Sequence, residues 1–408
     1  MIYYIVYFFE KNLTKRKEYL QVDKNSSRWQ TVMVMAGAMM ASLIGSGYAT
    51  GQEVIQYFVS KGWMGLVSIF VMFLCFAFMG YTLFTTGYRH QDKLENTNDI
   101  FELYSNKMIG KFYEYLSIVV IFLTYTVMIA GAGATLNQQF DTPIIVGSIL
   151  MFIVVAGVVM LGLEALTNIL GSLGPMIAIV AMLLGLYGLI TNFNELPNIS
   201  SSIESALANG EIQTSSGNWL VSGLNYVGYN LILFAGFHSQ AGGEANRRKD
   251  AAYSGLIGGG GFSIAILVSY FGFMASFNLV GRSAVPTLSL ANEIHPYLAY
   301  FFVAIIMIGI FTTAVTLLWN TVSNFSDDGT KKQKVLTLII GFIGLIIGSM
   351  ISFGSLLNIV YNVAGYFGIA FMFLMLVRHI QWGRATKEKG INKENRLSSA
   401  IFFIHCLE

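Results

Sequence analysis

The run ASLIGSGYATGQEV (41–54) interrupts an apolar stretch with Gly45-Ser46-Gly47, and LFAGFHSQAGG (233–243) does so with Gly236. Glycine lets a helix unwind at such points and frees backbone amides and carbonyls. Freed groups at membrane depth persist only where they are buried in protein or line a cavity. A half-helix N-terminus can then receive a carboxylate, and freed carbonyls can receive a cation. The plain alternative is that these glycines are close helix contacts; two matched breaks favour a site. GSGYATG has GxGxxxG spacing and no strand before it, so it is no dinucleotide fingerprint. The run Gly258–Gly261 reads as packing.

Two ionisable groups accompany the breaks. Glu53 either binds a substrate amine or carries a proton, or it sits near the outer interface hydrogen-bonded with Gln52. His238 can titrate near neutral pH, and a neutral buried histidine bonded to backbone is the plainer reading. Asn230, Asn358 and Asn362 fit cross-helix hydrogen bonds. Glu164 and Glu244 fall at inner boundaries beside basic residues. Trp63, Trp219 and Trp382 fall near helix ends, as interfacial aromatics do.

What must position these groups is a membrane bundle. Of the 408 residues 55% are hydrophobic and 11% charged, and the mean hydropathy is +0.62. A soluble domain carries about 25% charged residues. Runs of about 20 apolar residues place ten spans, near 31–58, 64–88, 111–138, 143–162, 167–190, 222–243, 254–278, 296–323, 334–352 and 355–380. The opening MIYYIVYFF (1–9) is too short to span and reads as an extension or an interfacial patch. Cys75 and Cys406 belong to no metal or disulfide pattern.

With the N-terminus inside, only Lys61 and Arg282 of the basic residues fall outside, as the positive-inside rule requires. The expected organisation is a cytoplasmic segment 1–30, a first five-helix repeat 31–190, an extracellular loop 191–221, a second repeat 222–380 and a cytoplasmic tail 381–408. The loop should hold a short amphipathic helix around Ile203–Ala208. Segment 279–295 (VPTLSLANEIHP within it) is a candidate lid, and 89–110 is polar and partly helical. Shifting the first five spans by 191 residues lands them near the last five. An odd number of spans per half inverts one half against the other.

The stretch ASLIGSGYATGQEVIQYF resembles the first span of the YkvI-like membrane proteins of the amino acid–polyamine–organocation superfamily, and the resemblance covers roughly 31–380. LFAGFHSQ resembles the broken sixth span of superfamily carriers, where a Phe-x-Gly-x-Glu pattern is common; here His238 takes the acid's position. The resemblance implies an all-α, LeuT-like five-plus-five inverted repeat with helices one and six discontinuous. It maps a sodium site onto the carbonyls of Ala41, Ile44 and Gly309 and the hydroxyls of Thr312 and Thr313. Sodium is a hard cation that takes oxygen ligands, although such threonines in isolation read as bonding their own helix carbonyls.

The implied function is a permease in the cell membrane, with both termini cytoplasmic, that moves an amino acid or related small zwitterion by alternating access. Substrate contacts are expected at Gly45, Ser46, Gly47, Tyr125, Phe234, Ala235, Gly236 and Phe237. Tyr125 has helix contact as its plain alternative. Coupling is expected to sodium, with protons through Glu53 or His238 as runner-up and an uncoupled permease as a further alternative. No organic cofactor and no nucleic-acid partner are expected. A non-transporting sensor is the competing class, and its short tail is poorly suited to carry a partner-binding domain. No HExxH, paired intramembrane aspartates or Ser–His pair supports an enzyme, and no ring of charges supports a channel.

Overall fold

A computed structural model describes residues 28–94, 97–161, 167–215 and 217–388. The opening stretch 1–9, Glu164 and Cys406 lie outside them. The first expected span forms three pieces, α1 (Arg28–Leu43), α2 (Ser46–Thr50) and α3 (Gln52–Tyr57). The second is α4 (Met64–Arg89), followed by the short α5 (Asp99–Tyr104) in the polar 89–110 segment. The third to fifth are α6 (Lys107–Phe140), α7 (Ile144–Leu161) and α8 (Thr167–Thr191). The long loop holds α9 (Ile199–Ala208), which buries Ile199, Ile203 and Ala206. The sixth and seventh are α10 (Trp219–Gly243) and α11 (Arg248–Ala275). Two short helices, α12 (Phe277–Val280) and α13 (Pro286–Ile294), precede the last three spans, α14 (Pro296–Ser323), α15 (Lys331–Met350) and α16 (Phe353–Glu388).

Among the described residues eight helices are long and apolar enough to cross a membrane. They are nine if the pair Ile179–Thr191 and Phe193–Ala208, bent by 78°, is one span. The first of the ten expected spans stands apart for a physical reason. α1 ends after 16 residues, so no single piece of 28–57 has the length to cross.

The packing follows the repeat. α1 lies against α11 and α8, and α10 lies against α4 and α16. A shift of one half onto the other exchanges these two sets of neighbours. α6 lies against α14, α7 against both, and α15 likewise against both. Apolar side chains such as Phe70, Ile153 and Phe342 remain exposed on the outer surface of the bundle, where lipid is the natural solvent.

The sixth span corrects one expectation. α10 is a continuous α-helix through Gly236, started by the Asn218 side chain, which accepts from the amides of Leu220 and Val221. Its glycines are notches for neighbours. A Cβ on Gly228 would strike the Gly365 carbonyl, one on Gly236 the Thr97 carbonyl, and one on Gly242 the backbone of Phe84. Close backbone approach, not unwinding, is what glycine supplies there. Gly258, Gly259 and Gly261 of α11 pack in the same sense against α1 and Phe76.

Candidate functional site

The interruption in the first span has two hinges. Ile44 and Gly45 lie outside any helix, and Gly45 is extended (φ −95°, ψ −172°). Gly51, between α2 and α3, is left-handed at φ +87°, a conformation costly for a residue with a Cβ. A Cβ there would also press on the Phe273 ring at 2.8 Å and on Pro286. Pro286 begins α13, and Thr287 of that helix donates to the Ala49 carbonyl at 2.8 Å. The expected lid segment therefore rests directly on the interrupted span.

Glu53 lies two residues beyond the second hinge and is 3% exposed. Gln52 is not its partner: that side chain donates to the Ser283 carbonyl at 2.7 Å. The Glu53 carboxylate instead accepts from Tyr226 Oη of α10 at 2.6 Å and is hydrogen-bonded by Tyr361 of α16. Tyr361 stacks on Tyr229, with ring centroids 3.6 Å apart, and Tyr229 hydrogen-bonds both Tyr361 and Thr124 of α6. The carboxyl also lies against the α carbon of Gly47, where a Cβ would overlap it. One acidic group thus joins α3, α10, α16 and the interruption.

Beside it runs a ladder of amides. Gln56 donates to Gln52 and to the Gly354 carbonyl, and Asn358 donates to Gln56 and to the Thr214 carbonyl. Asn362 donates to Asn358 and accepts from Asn225. Asn358 and Asn362 thus make the expected cross-helix bonds, whereas Asn230 bonds the Tyr226 carbonyl of its own helix. Loop segment 209–215 covers the ladder. Lys61 Nζ donates to Thr214, Ser215 and Gly217, and Arg282 is paired with Glu211. The Arg282 hydrogen bond, with that of Asn209, holds the Glu211 carboxyl below its ordinary range.

At the opposite end a cavity of about 470 Å³ opens between α4 and α10, lined by Gln91, Leu94, Ser239, Gln240 and Glu244. Gln91 donates to the Gly243 carbonyl at its rim. Burial, then the charges of Lys93 and Arg89, pushes the neighbouring His90 down from its usual value.

The remaining expected residues divide. His238 is fully buried and meets the Ser42 hydroxyl at 2.8 Å rather than backbone. Ala235 is buried beside it, and Phe234 packs 6.0 Å from its ring. Phe237 is 42% exposed, and Gly236 is covered by Thr97, so neither faces the interruption. Tyr125 is buried but reaches α15, donating to the Gly341 carbonyl at 3.3 Å. These placements follow from the unbroken α10, which keeps residues 234–238 on helical spacing.

Among the described residues no group of three or more His, Cys, Asp or Glu could hold a metal ion. An ion here would take neutral oxygens. Thr312 and Thr313 both donate to the Gly309 carbonyl at 2.9 Å, the helix-internal bonds that such threonines make in isolation. The Ala41 carbonyl receives the Ile44 amide at 3.3 Å, and α14 packs against α2. These residues supply neutral oxygens, the kind of donor a hard cation takes.

No family model matches the chain. Over 344 residues it is 22% identical to the uncharacterized membrane protein YkvI of Bacillus subtilis, spanning 84% of this chain and 95% of that protein. Over 351 residues it is 23% identical to YyaD of the same organism, spanning 86% and 97%. Its structure is similar to that of MhsT in complex with L-phenylalanine, with a TM-score of 0.57 and 16% identity over 86% of this chain and 88% of that one. The chain resembles YkvI over most of its length and has a LeuT-like fold. The manganese transporter of Eremococcus coleocola is a further fold neighbour, with a TM-score of 0.50 and 14% identity over 94% of each chain. The chain is thus a multi-pass membrane protein whose fold resembles that of these transporters.

The tyrosines around Glu53 escaped the reading of the sequence. Their signal was available in part: Tyr226 and Tyr229 stand three apart on one face of α10, and Tyr57 stands four beyond Glu53.

Proposed function

We propose that this protein is a secondary transporter for an amino acid or related small zwitterion, working by alternating access and coupled to sodium. One observation carries the reading: the first span of a LeuT-like fold is interrupted at Ile44–Gly45 and again at Gly51. An interrupted helix at membrane depth offers backbone groups to a solute that a regular helix keeps for itself. The substrate's carboxylate meets the amides of Gly45, Ser46 and Gly47, with Phe234 and Ala235 nearby on α10.

Ala41, Ile44, Gly309, Thr312 and Thr313 are the residues that would hold sodium. When bound, the ion supplies positive charge beside the interruption. The lid contact of Thr287 on Ala49 and the amide ladder close one side of the interruption.

The test is uptake of an amino acid mixture into proteoliposomes, with and without an inward sodium gradient. Sodium-stimulated uptake that becomes sodium-independent in Thr312→Ala with Thr313→Ala is expected. Uptake indifferent to sodium in the unaltered protein removes the sodium assignment, and no uptake under any gradient removes the transporter reading.

A further inference from the structure

Two carboxyl groups are buried among the described residues, and they are treated differently. Asp250 is 2% exposed and is paired with Arg28 at 2.8 Å. Glu53 is as deeply buried and has no cationic partner; both ion pairs among the described residues lie elsewhere. The groups close enough to feel its charge are Tyr48 of α2, Tyr57 of α3, Tyr226 and Tyr229 of α10, and Tyr361 of α16. From α11, Tyr270 turns away to the Gly62 carbonyl. Hydroxyl donors satisfy a carboxylate's oxygens but do not cancel its charge, and an uncompensated buried charge is expensive.

We propose that Glu53 is a proton-binding site of the transport cycle, a statement that rests on the transporter reading above. The packing favours the smallest cation. The carboxyl has the Gly47 α carbon against it, and Tyr226 is wedged among Tyr57 and Phe58 with ring centroids at 5.3 Å. A metal ion or an ammonium group needs room for its own ligands; a proton does not. The carboxylate takes the proton from a hydronium ion on one side, one hydronium O–H bond breaking as the carboxyl O–H forms and leaving water. It gives the proton to a water molecule on the other side, where the reverse exchange regenerates hydronium and carboxylate. Tyr229 and Tyr361 extend the hydrogen-bonded hydroxyls around the carboxyl as far as Thr124.

The proton also has a purpose at this position. A charged Glu53 beside Gly47 repels any carboxylate brought to Gly45–Gly47, whereas a neutral Glu53 does not. Proton binding and binding of an anionic group at the interruption are therefore positively linked.

Infrared difference spectroscopy on the purified protein in lipid nanodiscs reads the site without transport. Expected is a protonated-carboxyl band at neutral pH that is lost in Glu53→Gln and kept in Asp250→Asn. Identical spectra for Glu53→Gln and the unaltered protein overturn the proposal. Should Glu53→Gln fail to fold, Tyr226→Phe removes one hydrogen bond and shifts the band; an unmoved band overturns it equally. In proteoliposomes with an internal pH dye, Glu53→Gln keeps substrate binding, loses proton movement and loses the pH dependence of uptake. Solute uptake without the band sinks the proton site alone. The band without uptake of any solute leaves the site standing and removes the transporter reading.

Discussion

The first and sixth spans carry glycine at corresponding positions and use it in opposite ways. In α1–α3 the chain leaves the helix at Gly45, in an extended conformation open to any residue, and the missing side chain gives the backbone freedom at Gly51, which is left-handed. In α10 it gives neighbours room, and the helix runs on unbroken from Trp219 to Gly243. At Gly45 a Cβ would meet nothing within 4 Å, whereas at Gly228 and Gly236 it would strike backbone of a facing segment. Glycine in a membrane helix therefore signals either a hinge or a contact, and only the surroundings decide which.

Substitutions can break this contrast. Gly228→Ala and Gly236→Ala should be the most damaging to stability, lowering it by about 1–3 kcal/mol through overpacking, read as a lower melting temperature in detergent. Gly51→Ala follows, at roughly 1–2 kcal/mol for the left-handed backbone, with the Phe273 contact adding to it. Thr287→Val removes the lid's hydrogen bond to Ala49 and should cost about 1 kcal/mol. Gly45→Ala should change stability by less than about 0.5 kcal/mol while slowing uptake. A large loss of stability there, or none in α10, would reverse the assignment of the two spans.

The smallest effect belongs to the Glu211–Arg282 pair. The Glu211 carboxyl is held below its unfolded value, so its contribution is complete above the ordinary carboxylate range and is lost as pH falls through the folded value. Arg282→Gln should flatten the acid limb of the melting curve slightly and leave neutral pH almost unchanged.

The spans were legible because lipid imposes one rule along the whole chain, a run of apolar residues long enough to cross. The interruption at Gly45 was legible from a local cluster, Gly-Ser-Gly inside such a run. The continuity of α10 was not, because the reason for Gly236 is the carbonyl of Thr97, on a distant loop. Glu53 was visible as an odd charge, but its partner Tyr226 stands 173 residues away. Pairings at that range depend on how the halves interlock, which no local pattern encodes.

Loop segment 209–215 lies in the stretch that joins the two halves, and it is fastened to both, through Lys61 in the first and Arg282 in the second. It therefore acts as a strap, not slack rope. Any relative travel of the halves must stretch this strap, slip one of its fastenings or carry the loop along. The stiffness of a surface loop thereby enters the energy difference between the protein's working positions, although the loop touches no solute.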